Sequence, residues 1–140
     1  MPLELSLIPA NSTLESNSVG EPIEISGSES RTFFCVLTVT DQIEQESLDV
    51  SIWGSPDGQN FGKLPLLKFP QQFYNGATKM ILDVSLRLDV KYLRARWDLN
   101  RWGRVSPTPR FVAGLQLEEI PPMSRDTTTR RAFLAPKSEA

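Results

Sequence analysis

Apolar residues fall at every second position in several short runs of this chain, and turn-forming residues separate the runs. In Leu48-Asp49-Val50-Ser51-Ile52-Trp53, one face carries Leu48, Val50 and Ile52 and the other Asp49, Ser51 and Trp53. Met80, Leu82 and Val84 repeat the pattern against Lys79 and Asp83. Leu93, Ala95 and Trp97 repeat it against Tyr92, Arg94, Arg96 and Asp98, and Phe111, Ala113, Leu115 and Leu117 do so again. Period two is the mark of a strand with one buried face. Leu3–Ile8, Ile23–Ser26 and the apolar Thr32–Thr40 read as further strands. Leu64–Phe69 reads as an edge piece, because Pro65 and Pro70 cannot donate to a central ladder. About eight short strands with turns between them predict an all-β, two-sheet antiparallel sandwich of jelly-roll-like form. Its expected core is Phe34, Val36, Leu48, Val50, Ile52, Leu82, Val84, Leu93, Ala95, Phe111 and Leu115.

The joints carry their own chemistry. Ser55-Pro56-Asp57-Gly58 puts Pro where φ near −65° is wanted and Gly where a positive φ is tolerated, so it predicts a tight turn rather than a calcium loop. Asn75-Gly76 is a hairpin-turn dipeptide ahead of the Met80 strand. Asn11-Ser12-Thr13 matches a glycosylation acceptor and reads as loop composition, and Asp41–Glu46 has room for a single helical turn. From Pro121 the alternation stops. The expected organisation is a sandwich over 1–120 and an extended C-terminal arm over 121–140, whose only large apolar residues after Met123 are Phe133 and Leu134.

Composition adds constraints. With 140 residues, 39% of them hydrophobic, the chain has material for one packed domain and is not disordered throughout. The single Cys35 lies inside an apolar run and reads as a small buried hydrophobe. There is no histidine, which removes Ser-His and Cys-His nucleophile pairs and the commonest metal ligand. No phosphate loop or zinc spacing is present. The expectation is therefore a protein that is not an enzyme and holds no cofactor or metal. Met1-Pro2-Leu3-Glu4 lacks the charged and apolar regions of a secretory leader, and no apolar stretch is long enough to span a bilayer, so the chain reads as made in the cytoplasm without a signal peptide.

Net charge is −2, but residues 1–60 carry ten acids against Arg31 alone, while residues 61–140 carry fourteen bases and seven acids. Two readings follow: opposite interaction surfaces, or halves that interleave and neutralise each other. Arg87, Lys91, Arg94, Arg96, Arg101, Arg104 and Arg110 are interspersed with Tyr92, Trp97 and Trp102. Trp53, Tyr92, Arg94, Arg96 and Trp102 form a candidate surface patch, suited to stacking on a sugar or to a protein partner. The alternative is a solvated strand face on which Arg94 and Arg96 pair with cross-strand acids such as Asp49. The sequence pI near 5.2 argues against nucleic acid.

Leu48-Asp-Val-Ser-Ile-Trp-Gly-Ser-Pro-Asp-Gly-Gln-Asn-Phe61, then Tyr92-Leu-Arg-Ala-Arg-Trp97, then Ser106-Pro-Thr-Pro-Arg-Phe-Val-Ala-Gly-Leu115 resembles small β-sandwich structural proteins of tailed phages and related virus-like particles, over roughly residues 30–120. The resemblance implies a non-enzymatic virion component, whether decoration, connector or shell-associated, that acts by docking on other particle proteins and by self-association. Within that reading the arm is an assembly element: Phe133 and Leu134 anchor in a neighbouring subunit, and Arg125, Arg130 and Arg131 set its orientation. The alternative is a carbohydrate-binding module using exposed aromatics.

Overall fold

The computed structural model describes residues 3–42, 46–101 and 110–122, and these form an all-β sandwich without helices. The strands are β1 (Glu4–Leu14), β2 (Ser18–Val19), β3 (Ile23–Glu24), β4 (Thr32–Gln42), β5 (Glu46–Ser55), β6 (Leu67–Lys68), β7 (Gly76–Asp83), β8 (Tyr92–Arg101) and β9 (Phe111–Glu119). One sheet has the order β1-β9-β4-β7. The other runs β2-β8-β5-β6, with β3 also on the outer side of β8. All pairings are antiparallel. This interleaved order, with the chain passing back and forth between sheets, is the jelly roll, and β2 and β3 together occupy one strand position.

Every pairing joins a strand from residues 1–60 to one from residues 61–122. The acid-rich and base-rich halves of the sequence therefore alternate within both sheets, which favours neutralisation over two opposed surfaces. Arg110 bonds the Asp41 carboxylate at 2.8 Å across this divide.

The inner faces meet where the alternation placed them. Leu48, Val50, Ile52, Leu93, Ala95, Phe111 and Leu115 are each fully buried, and Leu82 and Val84 nearly so. The exception is β4. Phe33, Cys35, Leu37 and Val39 face the core, whereas Phe34 and Val36 lie half-buried on the outer face. Apolar residues occupy both phases of that strand, so its own pattern does not choose a face. Pairing does: Cys35 lies opposite Leu117, and Phe33 opposite Leu82. Burial pushes the Cys35 thiol up to about 12, so it packs as a small hydrophobe.

Three joints differ from the sequence reading or refine it. Asn75-Gly76 is not a hairpin turn: it leads the chain from β6 in one sheet to β7 in the other, with Gly76 at φ 146°. Asn11-Ser12-Thr13 lies within β1 rather than in a loop, and Asn11 takes a φ of 61° in a bulge. Asp57 serves the turn. Its Oδ1 accepts the Asn60 and Gln59 N–H groups and the Ser55 hydroxyl, each at 2.9 Å, and these bonds hold its carboxyl at about 2. Residues 43–45 and the arm from 123 onward, with Arg125, Arg130, Arg131, Phe133 and Leu134, lie outside the described residues, as does Trp102.

Candidate functional site

Strand alternation in β8 sends Tyr92, Arg94 and Arg96 to the outer face of their sheet. The β5–β8 register sets Trp53 opposite Arg94, Ser55 opposite Tyr92 and Ser51 opposite Arg96. The loop after Gly58 folds back over this face and adds Phe61 and Lys63. The Arg94 guanidinium stacks on the Phe61 ring, 3.9 Å from its centroid, and Arg96 lies 5.7 Å from the centre of Trp53. Asn60, Lys63, Trp53, Arg94 and Arg96 thus line one shallow depression of about 460 Å³. No carboxylate lines it, so three cations give it a positive field. Arg94 Nε meets no acceptor among the described residues.

The aromatic rings are engaged rather than offered. Trp53 is half-buried, donates its indole N–H to Ser51 Oγ at 2.8 Å, and has Arg96 near one face. Tyr92 packs beneath Gly58, where a Cβ would stand 3.4 Å from the ring. Arg96 bonds Asp98 on its own strand at 3.5 Å, not Asp49. Asp49 sits opposite Asp98, and Gln71 and Asn100 donate to it instead.

A second surface has no counterpart in the sequence reading. Eight large apolar side chains are exposed among the described residues, and five of them, Phe73, Tyr74, Ile81, Leu86 and Leu88, come from β7 and its two flanking segments. β7 is an edge strand. Leu86 and Leu88 are 94% and 72% exposed, yet their loop is braced. Consecutive turns are closed by Arg87 N–H to Val84 O and by Val90 N–H to Arg87 O, each at 3.0 Å. Arg31, the only base in the first sixty residues, donates to the carbonyls of Val84, Arg87 and Val90. Away from β7, Phe34 and Val36 of β4 floor an open depression of about 470 Å³ that runs over β9 to β1 on the outer face. A rigid loop showing leucines suits partner contact, because little order has to be gained on binding.

No protein-family model matches the chain, and no curated protein matches it.

The opposite edge of the same sheet is held by Glu119. This carboxylate is 3% exposed and accepts the N–H groups of Leu3 (2.8 Å), Glu29 (2.9 Å) and Ser30 (3.0 Å) and the Ser28 hydroxyl (2.7 Å). Burial alone would raise its pKa. The bonds from Ser30, Leu3, Ser28 and Glu29 together outweigh burial and hold it at about 2. The signal for this role was faint: Glu119 continues the inward alternation Phe111, Ala113, Leu115, Leu117, where an acid needs partners.

Proposed function

We propose that this chain is a non-enzymatic structural component of a virion-type particle that works by docking and self-association. One observation carries the reading: among the described residues, most of the exposed large apolar side chains lie along a single edge strand and the segments that flank it, one of them braced by Arg31. Exposed apolar side chains following one edge of a sheet mark contact with another molecule, whereas the same residues scattered over the surface would not. The jelly roll is an architecture that capsid and lectin domains share, so it is compatible with the particle context that the sequence resemblance suggests. Engagement of the Trp53 and Tyr92 rings favours docking over sugar stacking.

Light scattering on the full chain across a concentration series tests this. Mass rising with concentration is the expected result. A chain that stays monomeric at every concentration, while binding immobilised oligosaccharides, would replace this reading with the carbohydrate one.

A further inference from the structure

The pairing of β7 with β4 covers eight consecutive residues, from Thr32 opposite Asp83 to Val39 opposite Gly76, without a bulge. Just beyond it, Val84 N–H donates to Arg31 O at 2.9 Å. Antiparallel ladders alternate between hydrogen-bonded and non-bonded pairs. Val84, Leu82, Met80 and Thr78 therefore direct their backbone groups to β4. The N–H and C=O groups of Ala77, Lys79, Ile81 and Asp83 point the other way, towards the open edge. The side chains of these same residues lie on the outer face, with Ile81 50% exposed.

We propose that this edge pairs with β7 of a second copy of the chain, antiparallel, about a twofold axis through Ile81. The proposal rests on the self-association reading and specifies where it occurs. In this register Ile81 faces Ile81 of the other copy. Lys79 faces Asp83 of the other copy, and Asp83 faces its Lys79, so two opposite-charge pairs flank one apolar contact. The register joins outward-facing residues only to outward-facing residues, as ladder geometry requires. Sliding it by two residues sets Lys79 against Ile81 and Asp83 against Ala77, which leaves all four charges without partners. Charge complementarity thus selects both the occupant and the register. Asp83 is already fixed in place, since its Oδ1 accepts the Ser85 N–H at 2.9 Å and the Thr32 hydroxyl at 3.3 Å. Antiparallel pairing also brings the leading flank of one strand beside the trailing flank of the other. Tyr74 of one copy then comes to the same end of the joint as Leu86 and Leu88 of its mate. The symmetry is closed, because the joined sheet ends on both sides in β1.

Sedimentation of the full chain provides the test. Lys79→Asp and Asp83→Lys should each weaken self-association by about tenfold or more, since like charges then face each other twice. An equimolar mixture of the two variants should recover it, because opposite charges face each other in the mixed pair. A third variant, Ile81→Cys, should form a covalent dimer on mild oxidation; Cys35 is fully buried and does not compete. A monomeric full chain would remove the self-association reading itself. A chain that associates but is indifferent to the charge variants, shows no recovery on mixing and gives no cross-link would keep that reading and overturn the β7 joint.

Discussion

β1 and β7 are the two edge strands of one sheet, yet β1 loses register with β9 twice while β7 keeps step with β4 throughout. In β1, Ile8 pairs with Leu115 and Ser12 with Ala113, so Pro9, Ala10 and Asn11 all stand over Gly114. The extra residues, a proline that cannot donate and an Asn at positive φ make a poor template for another strand. The start of β1 is also strapped down through Glu119. β7 has none of these protections. Bulges protect an edge that must stay alone, and their absence from β7, in a sheet that uses them elsewhere, is what makes its regularity informative.

The largest expected effect tests the strap. Glu119→Ala removes the acceptor for three backbone N–H groups and two hydroxyls and should cost about 3 kcal/mol by urea denaturation, because buried donors are left unpaired. Its pH dependence has a definite sign. The folded pKa lies below the ordinary carboxyl value, so the contribution is complete above about 4.5 and fades as pH falls towards about 2. Glu119→Gln should flatten the acid limb in that window. An unchanged limb would mean that the strap is not electrostatic.

Next comes the bulge. A Cβ on residue 114 would meet Ala10 Cα at 2.8 Å, so Gly114→Ala should cost about 2 kcal/mol. A neutral result would show that β1 can shift freely, and the contrast between the edges would soften. The smallest effect belongs to β7. Ile81→Asp should leave the stability of the isolated monomer within about 0.5 kcal/mol, as exposed positions usually do, while abolishing association. A large loss of monomer stability would place Ile81 in the fold rather than at an interface.

Strands were legible wherever one face was polar. Leu48, Val50 and Ile52 declare their side because Asp49 and Ser51 lie between them. β4 declares nothing, since Phe33, Phe34, Cys35, Val36 and Leu37 are all apolar, and choosing Phe34 and Val36 for the core inverted it. Only the partners Leu117 and Leu82 fix the phase. The candidate patch was legible in Trp53, Arg94 and Arg96, which share a face by alternation. Phe61 and Lys63 reach it from a loop whose path depends on the turn held by Asp57, so spacing could not bring them in. The exposed edge was hidden for a different reason: periodicity reports which face of a strand is buried, not which strand lies outermost.

The crossing of early strands with late ones has a consequence during synthesis. β9 leaves the ribosome after both β1 and β4, between which it belongs, and β8 leaves after β2 and β5, between which it belongs. As the chain emerges, β1, β2 and β3 have no neighbour to pair with until β8 and β9 follow, whereas β5 and β4 wait only for β6 and β7. One sheet is closed by β8 and the other by β9, and each closure brings in a long loop. Until those strands arrive the future core is open to solvent, a period in which chaperone occupancy would decide the yield.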